Sequence, residues 1–464
     1  MISSVRVTYS NSVPPGSIRM TSAQLKSIGF IPNTNIMLLK VGSIETGIDK
    51  IVIDDSAEAD ELSFSENLRF QIHIPENSSL QLKTSGKGHF ELGPLIGVFI
   101  SSKKVVGIFN DKWDSVYQEF NLACKALKGL CCFFSMCDID WENKLVKALL
   151  LTGTKWTASI VPIPTVIYDR CFGENSREIC LMLRKKLGSS CHVVNSMPKL
   201  GKWETYITLN KSIGLETLMS PTTQYHSFED VADALNKYTS VYLKPDMLYK
   251  GKGIFRISKA PENGYKIEYR GENENKVEYM ADLTELESVL LKDYMKAGGN
   301  YLIQAAIDKA SYKGYPFDFR FLYQKNWKGE WEPGGISVRM GAPGSIITSP
   351  RSGGAVEELP TVLKEEFGEE PGTKNGLYEN IVRIGKQVVL CLEKEFGDCV
   401  ELGLDMTIDT NLRIWVIEVN GKPLKVSLKW LDIPEMLIRC YRRPIEYCAY
   451  LTGFKSADTG WGGL

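Results

Sequence analysis

ELGLDMTIDTNLRIWVIEVNGKP, residues 401–423, is the stretch whose reading decides the fold. Two alternating apolar segments flank the polar turn DTNLR, a pattern that predicts an antiparallel hairpin. On the second strand the two-residue repeat puts Glu418 and Asn420 on one face. Asp405 stands about as far before the turn as Glu418 stands after it, so pairing brings these carboxylates together. Two carboxylates and a carboxamide on one face call for a cation, and hard oxygen donors of this kind suit Mg2+ held together with nucleotide phosphates. The plainer alternative is a solvated hairpin face. Against it stand Trp415, Val416, Ile417 and Val419, which bury the strand on at least one side; buried carboxylates need partners.

Upstream, VYLKPDMLYKGKGIFRI (241–257) reads as a strand ending at Lys244-Pro245, a turn, and Gly251-Lys252-Gly253 leading into a second strand. A strand–glycine loop–strand can fold over phosphates, with Lys244 as point charge; an ordinary hairpin beside a lysine would look the same. Between this segment and the first, YPFDFRFLYQ carries Asp318 and Arg320 on one strand face, and GGISVRMGAPGSIITSPRSGGA carries Arg339 and Arg351 around glycine-rich turns. Lone arginines are usually surface charges. Here Phe317, Phe319, Phe321, Ile336 and Val338 place them on structured strands, where guanidinium forks suit phosphate and carboxylate groups.

The rest of the chain frames these segments. Its 464 residues suggest two to four domains. Lys+Arg 55 against Asp+Glu 56 offers no basic excess for nucleic acid. No apolar run has membrane-spanning length and the N-terminus lacks a signal-peptide core, so a cytoplasmic chain with no membrane partner is expected. The 11 cysteines lack a C-x-x-C pair, and Cys131, Cys132, Cys137 and Cys391 read as core thiols. The four histidines are scattered, which gives no support to histidine catalysis. Residues 1–94 read as a β-rich, small barrel-like domain, and residues 95–200 alternate strands with helices as an open α/β layer. No G-x-G-x-x-G follows the first strand of that layer. Residues 201–455 are mixed α+β, with a helix marked by Leu377, Ile381, Ile384, Val388 and Leu392 before Gly397. A last helix is expected to break at Pro444, and 456–464 to be a flexible tail.

Lys-Pro with a glycine loop, then mid-domain arginines, then an Asp…Glu-x-Asn hairpin resembles the ATP-grasp superfamily, and within it the YheC/YheD-like group associated with the endospore coat. The phrases that carry the likeness are LGPLIGVF, VYLKP, GKGIFRI, FDFRFL, SPRSGGA and IWVIEVNGKP, over residues 92–425. The resemblance implies an ATP-grasp fold, two α+β subdomains clamping ATP, behind a pre-ATP-grasp α/β domain. It implies ATP as cofactor with Mg2+ or Mn2+ on Asp405, Glu418 and Asn420. Lys244 and Gly251–Gly253 would lie over the phosphates, with Lys202 (Lys211 as the alternative) as second lysine. NYLIQAAID would be the hinge, bringing Gln304, Ala305, Ala306 and Ile307 to adenine and Asp308 to ribose. Arg320, Arg339 and Arg351 would stabilise the transferred phosphoryl group. The implied activity is a carboxylate–amine (or thiol) ligase with an acylphosphate intermediate, whose carboxylate substrate and amine acceptor, a peptide or amino acid, are unnamed. Alternatives are a kinase on the same scaffold and a non-catalytic spore-coat scaffold. Leu248 and Tyr249 stand where many relatives have Gly-Ser, and Ser349 where Asn is frequent.

Overall fold

The computed structural model describes residues 2–30, 37–84, 88–112, 115–173, 175–195, 200–247, 253–260, 264–271, 274–291, 300–341, 345–346, 348, 354–370, 372–373, 376–397 and 399–454. They form two compact units. One comprises residues 1–198, 325–330 and 438–464; the other comprises 199–324 and 331–437.

The first unit holds two sheets. Residues up to Gly93 supply an eight-stranded mixed sheet in which Ile2–Ser10 lies between Ser79–Thr84, antiparallel to it, and Glu61–Ser65, parallel. Inward residues alternate along these strands, and Val5, Val7, Leu62, Phe64, Leu80 and Leu82 build its core. The next 100 or so residues supply a seven-stranded sheet. Within it Leu130–Phe134, Leu95–Phe99, Val166–Asp169 and His192–Val194 run parallel in that order. Leu95–Phe99 is buried throughout, as a parallel strand covered on both faces must be. The helices Ser115–Ala126 and Ser176–Leu187 fall in stretches of helical spacing, and Ser102–Phe109 adds a third helix after Leu95–Phe99.

The second unit holds two six-stranded sheets. The first runs Thr222–Gln224, Tyr301–Ala305, Ser240–Pro245, Phe255–Lys259, Tyr265–Arg270, Asn275–Met280, every pair antiparallel. The second runs Ala355–Glu358, Trp331–Met340, Tyr315–Lys325, Glu401–Ile408, Ile414–Asn420, with Ser311–Tyr312 paired to Tyr315–Lys325. Helix Leu377–Phe396 buries Leu377, Ile381, Val388, Val389 and Leu392 along one stripe and stops at Gly397, whose φ of 83° glycine adopts without penalty.

Two sequence expectations are corrected. Helix Pro434–Leu451 continues through Pro444 rather than breaking there. Its turns bury Cys440, Tyr441, Ile445, Tyr447 and Cys448, and that packing outweighs the one hydrogen bond proline removes. Cys131 and Cys132 are buried, but Cys137 is exposed and Cys391 is half-buried, its Sγ 3.0 Å from Ser212 Oγ. Among the described residues no helix is long and apolar enough to cross a membrane. The tail 456–464 lies outside the described residues.

Candidate nucleotide and metal site

The hairpin of 401–423 forms with Asp405 paired directly opposite Glu418 and Gly403 opposite Asn420. Its register shifts between Asp405 and Met406, where Ile417 is the extra residue of a bulge. The consequence is a change of face. Ile414, Val416 and Val419 are buried, whereas Glu418 and Asn420 join Trp415 and Ile417 on the half-exposed side. Without the bulge Glu418 would share the core face of Ile414 and Val416. Every residue of Glu401–Ile408 is buried, Asp405 included. Gly403 leaves room for its neighbours, since a Cβ there would fall 2.8 Å from Pro423 Cβ and 3.3 Å from Arg320 Cδ.

Arg320 lies opposite Asp405 on the other neighbouring strand and grips its carboxylate with two parallel bonds, Nη2 to Oδ2 measuring 2.8 Å. Arg339, one strand further, donates from Nε to Asp318 Oδ1 at 2.7 Å, with Nη2 2.6 Å from the same oxygen and 3.3 Å from Asp405 Oδ1. Burial alone would raise the Asp405 carboxyl pKa; Arg320 and Arg339 override it and hold the group well below the usual carboxylate range. Burial would likewise lower the pKa of Arg339, and Asp318 and Asp405 raise it instead. Asn420 Nδ2 lies 3.4 Å from Glu418 Oε1.

These donors fit a hard divalent cation, being oxygens of two carboxylates and a carboxamide. Both Asp405 oxygens already accept from Arg320, so a cation would share Asp405 with arginine. Among the described residues no three Asp, Glu, His or Cys side chains converge as a closed metal cage. A cation here would therefore draw ligands from Asn420 and from a bound phosphate.

The first sheet contributes lysines. Lys244, near the end of Ser240–Pro245, is buried and donates to Gln304 Oε1 at 2.5 Å, while Gln304 Nε2 donates to Thr222 Oγ1 at 2.8 Å. Its pKa is lowered to about 7, first by burial, then by the Lys202 and Lys309 ammonium groups, against the opposing pull of Glu418 and Asp246. Lys202 opens helix Lys202–Asn210 and donates from Nζ to the carbonyls of Pro245 and Asp246, each at 3.1 Å. Trp203 N–H donates to Asp246 Oδ1 at 2.9 Å, which fixes that helix start against the strand.

The expected hinge residues are partly engaged in the fold itself. The N–H of Ala305 donates to Pro221 O and that of Ala306 to Ser240 O, at 2.9 and 3.0 Å. Ile307 is half-buried. Asp308 is exposed and accepts from Thr410 through both its carbonyl, at 3.0 Å, and Oδ2, at 3.2 Å. Gly253 has φ of 69°. Gly251, Lys252 and Arg351 lie outside the described residues, as do Leu248, Tyr249 and Ser349.

Three participants carry weaker signals in the sequence or none. Asp318 was visible only as a neighbour of Arg320, yet it holds Arg339, accepts from Thr348 Oγ1 and lies 3.7 Å from Lys309 Nζ. Nothing in the local sequence marks Lys309 or Thr348, because their partner belongs to another segment.

A model of the YheC/D-like ATP-grasp family matches residues 190–451. The endospore coat-associated protein YheD of Bacillus subtilis (strain 168) is 24% identical over 402 residues, covering 84% of this chain and 85% of the relative. The endospore coat-associated protein YheC of the same organism is 25% identical over 328 residues, covering 68% and 87%. Among solved structures, that of the D-cycloserine synthetase DcsG is similar with a TM-score of 0.46 and 12% identity, covering 76% of this chain and 99% of the other. With its family model spanning more than half the sequence, two antiparallel sheets and an Asp…Glu-x-Asn hairpin, the chain belongs to the YheC/D-like ATP-grasp family.

Proposed function

We propose that this chain binds Mg-ATP in the second unit and acts as a carboxylate–amine (or thiol) ligase, releasing ADP and phosphate. The observation that carries the reading is electrostatic. Arg320 and Arg339 converge on Asp405, which faces Glu418 across the hairpin, and Glu418 is also among the charges that act on the buried Lys244 of the other sheet. Such a centre concentrates fixed charge where a phosphoryl group would pass.

In this reading Lys202, Lys244 and the loop Gly251–Gly253 hold the phosphates. The stretch Gln304–Ile307 meets adenine and Asp308 reaches the ribose. Asp405, Glu418 and Asn420 hold Mg2+ or Mn2+, which when bound neutralises phosphate charge. A substrate carboxylate oxygen attacks the γ-phosphorus, the bond to the bridging oxygen breaks, and ADP leaves. The amine lone pair then attacks the acylphosphate carbon, phosphate departs with its C–O bond pair, and the amine proton passes to solvent. Arg320, Arg339 and Arg351 neutralise charge at both steps. The scheme needs no protein nucleophile. We assign residues 1–94, 95–200 and 201–455 as its domains, with the β-rich and α/β parts preceding the ATP-grasp core, in a cytoplasmic, spore-associated protein.

Oxygen-18 in the substrate carboxylate tests the scheme: a ligase delivers it to phosphate, whereas a kinase acting on a hydroxyl does not. Asp405→Ala and Glu418→Ala are expected to abolish the stabilisation that Mg-ATP confers in thermal melting; unchanged stabilisation would remove the metal assignment. The names of the two Bacillus relatives favour a second reading, a coat scaffold without turnover. Mg-ATP binding with no ADP release, across carboxylate and amine mixtures, would support it.

A further inference from the structure

The first unit contains a cavity of about 600 Å3 whose lining residues include none of the centre described above. Lys40, Lys144 and Lys186 line it, and the other lining residues include Ser43, Glu91, Trp141 and His192. We propose that it binds a small anion bearing two or more phosphate or carboxylate groups.

The chemistry of the wall is one-sided. Its acceptors are already used: Glu91 pairs with Lys83 at 3.1 Å, and the Thr452 carbonyl accepts from the same ammonium at 2.5 Å. The Leu187 carbonyl accepts from Ser190 Oγ at 2.5 Å, and the Pro164 carbonyl from Cys191 Sγ at 3.2 Å. Among the described residues, Lys40, Lys144 and Lys186 have no carboxylate within ion-pair distance. Three lysines thus share one concavity with Glu91 as the single carboxylate among its lining residues, and Lys83 already pairs with that carboxylate, so the wall carries a net positive charge that an anion would neutralise.

The cations are held by structured backbone. Lys144 adopts φ of 55°, a conformation a lysine rarely takes, and its carbonyl accepts from Ser43 Oγ and from Ile163 N–H, both at 3.0 Å. The turn that brings Ser43 there needs glycine at 42. Its φ is 56°, and a Cβ would fall 2.7 Å from the Ile163 carbonyl. Lys186 Nζ sits 4.8 Å from the Trp141 ring centre, a cation–π contact that fixes a second charge.

Position separates this cavity from a substrate crevice of the α/β layer. Thr165 and His192 lie at the starting ends of the parallel strands Val166–Asp169 and His192–Val194. Open α/β sheets hold substrates at the opposite, carboxyl ends of their strands. The volume suits a small molecule.

The test is isothermal titration of the full chain in EDTA at low ionic strength, with inorganic pyrophosphate as the phosphate probe and tricarballylate as the carboxylate probe. At least one is expected to bind, and the one that does identifies the source of the charge. Lys244→Met, which removes one phosphate-facing charge from the proposed nucleotide centre, should leave that binding intact. The triple variant Lys40→Gln, Lys144→Asn, Lys186→Gln should weaken it by about tenfold or more, asparagine being chosen because it tolerates the left-handed backbone. If the triple variant melts early, Lys40→Gln and Lys186→Gln singly, both at exposed positions, should each weaken binding about threefold. The inference is overturned if neither probe binds, if the lysine variants bind as the parent does, or if Lys244→Met alone abolishes binding.

Discussion

The lowered pKa of Lys244 makes nucleotide binding a proton-linked event. In the free chain burial and the neighbouring Lys202 ammonium bring this group to about 7. Bound phosphates reverse the balance, since they supply the counter-charge that the buried ammonium lacks. If only the charged lysine grips phosphate, the competent fraction falls from about 24% at pH 7.5 to about 1% at pH 9.0 for a pKa of about 7. The apparent Kd for Mg-ATP should therefore rise about 25-fold across that interval, and each ATP bound at pH 8.5 should take up about one proton. Titration calorimetry in two buffers of different ionisation enthalpy measures both quantities, and Lys244→Met should abolish the pH dependence. The linkage also fixes a sign for the free chain. Between about 7 and the ordinary lysine value the unfolded chain holds a proton that the folded lysine lacks, so this group makes stability rise with pH over that window. A Kd that stays flat from pH 7.5 to 9.0 with no proton uptake would refute the reasoning.

Asp405→Asn should cost about 3 kcal/mol in urea unfolding, because Arg320 and Arg339 lose their shared carboxylate. Since the folded Asp405 pKa is depressed, its contribution is full above the ordinary carboxylate value and fades as pH falls toward the folded one; the gap between parent and variant should narrow in acid. Lys425→Met removes the 2.8 Å ion pair from the fully buried Glu401, which still accepts from Gln324 Nε2 at 3.0 Å, and should cost about 3 kcal/mol, with Glu401→Gln in the same chain recovering part of the loss. Gly385→Ala places a Cβ 2.5 Å from Tyr323 Cε2 and should lower stability by about 1–3 kcal/mol, read as a fall in Tm.

The features the sequence determined by itself are those governed by short-range periodicity and turn chemistry. The hairpin of 401–423, the facing of Asp405 and Glu418, the helix ending at Gly397 and the open α/β layer all follow from spacing along the chain. Pro444 shows the limit of such rules, because a local helix breaker lost to tertiary burial of the surrounding turns. Tertiary structure alone decided three matters. The bulge at Ile417 turns Glu418 away from the core, and no residue type at that position announces it. Arg339, Lys309 and Thr348 meet Asp318 only because segments distant in sequence are brought side by side in one sheet or folded back beside it. The state of Lys244 is likewise set from outside its own segment, by Gln304, Lys202 and Glu418. A charge's meaning depends on burial and on neighbours distant in sequence. The local pattern therefore locates the hairpin and the lysine, and the packed sheets decide what each can bind.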